Sequence, residues 1–337
     1  MFKIGNLTLN SPLLLAPMAG ITDLPYRMTV RPFGCSLAFT EMVSTNSLAY
    51  KSKNALQMIC SQPEDRPLGV QLLGDDDDSI LRSLENLPHN RFDLIDFNAA
   101  CPVNKVATKG RGAGLLKDPE KLHGILKLIV NNTDLPVTIK IRSGWDSTSV
   151  NAAEVAKSAQ DAGAKCIFIH GRTRAQKYKG KVDYDHIRVV KKSVSIPVVA
   201  SGDGLSPYLI KRMFDQTGCD GVAIARGALG NPWLFPETVE YMKTGIVPPR
   251  PGIEEVTQTM RKHLLANIEF SGEMFGVIRF RKFYGWYVRG LPARELKIRA
   301  FFKNTKDEMM AMIDELYDHV HNLDHTRDLT VYAPITS

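Results

Sequence analysis

Val198-Val199-Ala200-Ser201-Gly202-Asp203-Gly204 and, further on, Gly221-Val222-Ala223-Ile224-Ala225-Arg226-Gly227 decide how this chain is read. Each is a short β-rich apolar run that breaks into a polar turn containing glycine. The helix-like stretch Pro207–Gln216 lies between them. Strand, helix, strand implies parallel pairing. Working outward, the same unit recurs at Leu13–Ala16, Ala38–Met42, Gly69–Leu73, Leu94–Phe97, Val137–Ile141 and Cys166–Ile169. Amphipathic segments such as Pro119–Asn131 and Val150–Ala162 fall between them. Eight units in roughly 230 residues match an α/β fold of the (β/α)8 TIM-barrel type. A doubly wound open sheet is the alternative. It usually has fewer units, and no GxGxxG follows the first run.

Near Val247 the pattern stops. Val247-Pro248-Pro249-Arg250-Pro251-Gly252 reads as a linker, and long helical patterns follow at Ile253–Phe270, Phe275–Arg289 and Asp307–Leu323. The expected organisation is a barrel over residues 1–245, a small all-helical domain over 253–325, and a frayed tail over 326–337. With 337 residues, 44% hydrophobic and 23% charged, the composition excludes a disordered chain and a fibre. The five cysteines are scattered without a CxxC, which argues against a disulfide framework or thiolate metal site and fits a reducing cytoplasm. No apolar run reaches the ~20 residues of a membrane span. The stretch after Lys3 loosely mimics a signal peptide, but its apolar part is short and broken by Pro17, so it reads as a buried strand. The acids at 75–78 read as the opening of a helix, where the dipole favours them. His319, His321 and His325 lack a metal-ligand spacing, and no metal is expected.

In such a barrel the site lies at the C-terminal ends of the strands. Polar side chains gather there: Gln71, Asn98, Lys140, His170 and Ser201 end or follow apolar runs. Gly-rich turns after the last two strands form a common phosphate site of this fold, and Arg226 adds charge, although such turns also serve merely to reverse a chain. Lys140 sits within Val137-Thr138-Ile139-Lys140-Ile141, pointing either into the barrel or out at the helices. Neither is cheap unless it is paired or ligand-bound; the bland reading is a snorkelling lysine. Cys101 precedes Pro102 and the basic, glycine-containing loop Val103–Gly114, which suits a lid. Spacing alone leaves Cys101 open between a reactive thiol and a small buried hydrophobe.

Together these residues resemble one family, the tRNA-dihydrouridine synthases. The matching segments are Ala16–Asp23, Val70–Gly74, Asp96–Pro102, Gly112–Pro119, Lys140–Trp145, His170–Arg174 and Arg226–Trp233. Trp286-Tyr287 with Gly290-Leu291-Pro292 is similar to the bacterial B-type branch. The resemblance implies FMN in the barrel mouth, NADPH as reductant, hydride delivery to C6 of a tRNA uracil and a cysteine proton to C5. Carried over by motif, Cys101 is the proton donor. Pro17, Met18 and Ala19 contact FMN through backbone, and Gln71 and Lys140 bind its ring. Ser201, Gly202, Asp203, Ala225 and Arg226 hold the phosphate end, and His170 contacts FMN as well. Asn98 orients the uracil, with Arg172 and Lys105 also on the substrate side. The chain departs from the family pattern at Ala99-Ala100, Ser201 and Ala225. An ordinary thiol is mostly protonated at neutral pH and can donate to the charge that hydride addition creates.

The formal charge is a modest +7, but it is unevenly placed. Between Met274 and Lys303 stand Arg279, Arg281, Lys282, Arg289, Arg294, Lys297, Arg299 and Lys303 against the single acid Glu295, with aromatic residues interleaved. The bland reading is a helix with a solvated basic face. The functional reading is a grip on folded RNA through its phosphates and shape, tRNA being the implied partner. Arg279, Arg281 and Lys282 are the expected contacts. No membrane partner is expected, and a monomer is the default expectation. The rival readings are an FMN barrel oxidoreductase acting on a free pyrimidine or enone, and a non-catalytic RNA-binding protein.

Overall fold

The computed structural model describes residues 2–324. Ten strands form: β1 (Phe2–Ile4), β2 (Leu7–Leu9), β3 (Leu13–Leu15), β4 (Ala38–Ser44), β5 (Leu68–Leu73), β6 (Leu94–Ala99), β7 (Val137–Arg142), β8 (Cys166–His170), β9 (Val198–Ser201) and β10 (Gly221–Ile224). β3 to β10 pair in parallel in the order β3-β10-β9-β8-β7-β6-β5-β4. The two ends of this sheet meet: Leu15 N–H donates to the Leu37 carbonyl at 2.9 Å and Ser36 N–H to the Leu13 carbonyl at 3.3 Å. The fold is the (β/α)8 barrel that the eight runs imply. Among the described residues no helix is long and apolar enough to cross a membrane.

Nearly every strand residue is buried, so the strands read as continuous apolar runs, as strands covered on both faces do. The helices cover the outer face. Helix Pro119–Asn131 shows why they form. Pro119 opens it, Asp118 caps the N–H of Lys121 at 3.0 Å, and Leu122, Ile125, Leu126 and Ile129 repeat on one buried face. Truncating one of these, as in Leu126→Ala, costs about 2–5 kcal/mol. The acidic run does open a helix, Asp77–Glu85, with Asp76 as its N-cap.

The barrel interior is layered. Leu14, Leu37, Phe39, Leu94, Cys166, Phe168, Val199 and Ala223 form one apolar cluster, which Phe2, Ile4 and Leu9 of the β1–β2 hairpin join from the N-terminal end. Above this plug the interior turns polar.

Contacts divide the described residues into two compact units. The first holds residues 2–23, 35–204 and 209–225, and with them the whole barrel sheet. The second holds residues 24–34, 205–208 and the chain from Arg226. Its main helices are Ile253–Ser271, Glu273–Tyr287, Arg294–Ala300 and Lys306–Asp324. Its core is aromatic. His263 is fully buried among the rings of Tyr26, Phe280, Phe283 and Tyr287, and burial drives its pKa down to about 3, so it is neutral. The tail over 326–337, and His325, lie outside the described residues.

Candidate active site

Parallel register brings the polar strand ends together. Asn98 lies beside Lys140, Gln71 beside Asp96, Arg142 beside His170, and His170 beside Ser201. The side chains then link into a chain. The Asp96 carboxylate accepts from Thr138 Oγ1 and from Gln71 Nε2, each at 2.7 Å. A carboxylate demands the amide's donor, so Gln71 presents its oxygen the other way, to Asn98 Nδ2 at 2.8 Å. Asn98 Oδ1 in turn accepts the backbone N–H groups of Ala100 and Cys101 at 3.0 and 2.9 Å. Every polar atom of both amides is thereby oriented, and the backbone of Cys101 is tied to the barrel interior.

Lys140 points inward rather than at the helices, and its ammonium donates to Ser201 Oγ at 3.0 Å. Burial lowers its pKa to about 8; Asp96 opposes the fall and Arg142 adds to it. Burial also raises Asp96 to about 6, against hydrogen bonds from Gln71 and Thr138 and the charge of Lys140. No motif in the sequence assigns Asp96 a role. Its signal was present: an acid in the run Leu94-Ile95-Asp96-Phe97, mirroring the lysine of β7.

Cys101 is 9% exposed. Its carbonyl accepts from Ala113 N–H at 3.1 Å, and a Cβ on Gly112, at φ +53°, would lie 2.8 Å from its own Cβ. The loop behind Cys101 is not an open flap: it winds into Asn104–Ala107 and Gly112–Lys117, and Gly112 to Leu116 are buried. Lys105 is exposed on the first of these turns. Arg142, also unassigned from sequence, is 2% exposed. It donates to the carbonyls of Ala100 at 2.8 Å, Lys177 at 2.8 Å and Thr173 at 3.1 Å, fastening the Cys101 loop to the loop after β8. Burial brings its pKa down to about 10, so it stays charged at neutral pH.

Arg172 is 2% exposed, and its guanidinium grips the Asp203 carboxylate at 2.5 and 3.1 Å and the Gly180 carbonyl at 2.6 Å. His170 Nε2 lies 3.3 Å from the same guanidinium. Asp203 holds a positive φ of 54° in the turn with Gly202. After β3, Pro17 and Met18 are half-buried and Ala19 exposed, in a turn closed by Thr22 Oγ1 on Met18 N–H at 3.0 Å. Ala225 ends the first unit, and the next residue, Arg226, is exposed.

The expected RNA contacts lie in the second unit. Arg279 donates to Ser271 Oγ at 3.1 Å. Arg281 is held by the Lys303 carbonyl at 2.8 Å and Asn304 Oδ1 at 2.6 Å, and Lys282 lies 5.1 Å from the centre of the Phe283 ring. Arg289, Arg294 and Lys297 are more exposed than any of these.

A family model described as dihydrouridine synthase matches residues 14–326. The chain belongs to the dihydrouridine synthase family. It is therefore an oxidoreductase of the flavin-dependent class. It is 38% identical to tRNA-dihydrouridine synthase B of Vibrio vulnificus over 321 residues, 95% of this chain and 99% of that protein. It is 41% identical to tRNA-dihydrouridine synthase B of Pseudomonas syringae pv. tomato, over 90% of each. With a probable tRNA-dihydrouridine synthase of Rickettsia conorii it shares 39%, over 87% of this chain and 88% of that one. Among solved structures, the fold resembles histamine dehydrogenase from Rhizobium sp. 4-9, with a TM-score of 0.57 and 13% identity over 78% of this chain and 50% of that one. It also resembles a 2-naphthoyl-CoA reductase, with a TM-score of 0.56 and 12% identity over 71% of this chain and 51% of that one. The dihydrouridine synthase chain thus spans about half of either structure, and these two likenesses concern the fold alone.

The residues at the strand ends of this synthase fit a group that can accept negative charge. Lys140 holds a cation there against the pull of its own burial, next to oriented amides from Gln71 and Asn98. Such a charge is stabilised by a ligand able to accept negative charge.

Proposed function

We propose that this enzyme reduces uridines of tRNA to 5,6-dihydrouridine. The relatives' names supply the substrate class, and the chain from Asp96 through Gln71 and Asn98 to Cys101, with the Lys140 ammonium beside it, carries the mechanism. When bound at the barrel mouth and reduced by NADPH, FMN would supply the hydride for C6 of the base. Lys140 and Gln71 would bind its ring, and Pro17, Met18 and Ala19 would contact it through backbone. Ser201, Gly202, Asp203, Ala225 and Arg226, with His170, form its phosphate side. Arg172 acts by holding the Asp203 turn in shape. Asn98 sets the position of Cys101 and through it would orient the uracil. Cys101 Sγ holds the proton that goes to C5, on the carbon next to the one that takes the hydride. Two steps of opposite charge leave the ring neutral, so a single thiol suffices as acid. The uridine must leave its stack to reach the mouth. Lys105 and the basic stretch 274–303, including Arg279, Arg281 and Lys282, grip the RNA backbone.

The test is to incubate the flavin-loaded protein with unmodified tRNA and NADPH and to measure dihydrouridine by mass spectrometry. Cys101→Ala is expected to bind flavin normally and to lose at least about a hundredfold in product formation. Turnover of free pyrimidines or enones with no reduction of tRNA would overturn the substrate; full activity in Cys101→Ala would overturn the role of the thiol.

A further inference from the structure

The Gly230-Asn231-Pro232-Trp233 segment has no part in the barrel chemistry, yet it builds a pocket of its own inside the second unit. The pocket holds about 180 Å³, and its walls include Asn231, Trp233, Arg250, Trp286, Tyr287 and Arg289. Asn231 is 6% exposed, and neither its amide nitrogen nor its amide oxygen has a hydrogen-bond partner among the described residues. Its backbone is committed, donating to the Ala228 carbonyl at 3.1 Å and accepting from Leu234 N–H at 3.3 Å. A buried primary amide with no partner is rare in a folded protein and marks a place where something else completes the bonds. Nor can the amide turn away by shifting its backbone. Gly230, at φ +66°, is packed so closely on the end of helix Glu273–Tyr287 that a Cβ there would lie 2.3 Å from the Trp286 carbonyl carbon. Trp233 is fixed by its indole N–H on Glu255 Oε1 at 2.6 Å.

The wall chemistry specifies the guest. Trp286 and Tyr287 offer aromatic surface for a planar ring. An amide offers one donor and one acceptor side by side, the pattern that pairs with a base edge. Arg250 and Arg289 offer guanidinium donors for a phosphate, with the carboxylates of Glu237, 3.9 Å from Arg250, and Glu255, on the Trp233 indole, close by. The volume is below the roughly 300–1,000 Å³ of a drug-sized pocket, so it suits a single base with its sugar and phosphate toward the rim. We propose that this pocket receives a second unstacked nucleotide of the substrate RNA, separate from the uridine that reacts. The base lies against the aromatic wall and the Asn231 amide, and its phosphate lies toward the arginines. The inference rests on RNA being the substrate.

The chain has three tryptophans, of which Trp233 and Trp286 line the pocket and Trp145 lies in the first unit. Flavin-loaded enzyme labelled with 5-fluorotryptophan is titrated with AMP, UMP and ribose 5-phosphate and followed by fluorine NMR. The expected result is saturable movement of the Trp233 and Trp286 resonances with a nucleotide, not with ribose 5-phosphate, and no such movement in Asn231→Leu. Because the leucine variant can fold poorly, Arg289→Ala, altered at an exposed position, is run beside it and is expected to weaken the nucleotide shift about threefold to tenfold. In the tRNA reaction both variants are expected to raise KM by a larger factor than they lower kcat. Indole resonances that ignore every nucleotide, or that respond equally to ribose 5-phosphate, overturn the proposal. Wild-type enzyme that makes dihydrouridine while its pocket indoles stay still refutes the pocket alone. Wild-type enzyme that makes none, with indoles that respond to nucleotides, refutes the assigned reaction and leaves a nucleotide pocket.

Discussion

Replacing Lys140 by methionine is expected to make the flavin-free protein more stable and the flavin-bound protein harder to form. The magnitude follows from the environment of the ammonium. A fall from 10.5 to about 8 means that charging this lysine inside the barrel costs about 3 kcal/mol relative to water, at about 1.4 kcal/mol for each tenfold in the ionisation constant. Methionine has a similar reach and no charge. Its substitution removes that cost and forfeits the hydrogen bond to Ser201, worth about 1 kcal/mol. Asp96, already raised to about 6, takes up a proton rather than stay charged alone. The net gain is about 2 kcal/mol. At about 2–4 °C per kcal/mol in domains of 150–250 residues, the apoprotein should melt a few degrees higher. The sign of the pH dependence is a second check. Below pH 8 the lysine is charged in both folded and unfolded chains, so the penalty, and hence the advantage of methionine, is complete. As pH rises from 8 to 10.5 the folded lysine is already neutral, and the advantage fades. Calorimetry of both apoproteins at pH 7 and pH 10 measures this, while flavin titration should show affinity weakened about tenfold to a hundredfold. A methionine variant that melts several degrees lower at pH 7, or that binds flavin as well as the wild type, refutes the reasoning.

Other outcomes follow from the same geometry. Flavin affinity of the wild-type apoprotein should decline as pH rises above about 8, by at most tenfold per pH unit, because binding then requires re-protonation of Lys140; fluorescence titrations at pH 7, 8 and 9 check it. Gly112→Ala puts a Cβ 2.8 Å from that of Cys101 at a φ of +53°, so product formation should fall at least about tenfold while the flavin spectrum is retained. Removing Arg294 and Lys297, both exposed, should weaken tRNA binding and lower the slope of log affinity against log salt by up to about one for each phosphate left without its cation, measured by filter binding between low and moderate salt.

The barrel was legible because all eight of its strands are buried on both faces and so write themselves as apolar runs; each observed strand begins within one residue of its run. The β1–β2 hairpin was not, because two three-residue strands around Gly5-Asn6 are too short to show a period. Helix Arg294–Ala300 escaped for a similar reason, since its buried side is only Leu296 and Ala300 and its charges dominate the reading. At the site, residue types announced themselves but their pairings did not. Lys140 could point either way until the register of β7 against β6 and β8 fixed it. Arg172 looked like a hand held out to a ligand; the structure folds it onto Asp203, a pairing of two loops that no spacing encodes. Asn231 stands in the sequence only as part of the family-like segment Arg226–Trp233; that its buried amide lacks a partner among the described residues is visible in the structure alone.

The hairpin that fills the N-terminal end of the barrel has a kinetic consequence. Phe2, Ile4 and Leu9 fill that end with packed hydrocarbon, which among the described residues leaves the polar strand ends as the side open to ligands. On the proposed reaction, a hydride donor and a hydride acceptor would share the opposite end and would take turns there. Crowding by one reactant should slow the other, and initial-rate plots at varied concentrations of both should run parallel rather than intersect.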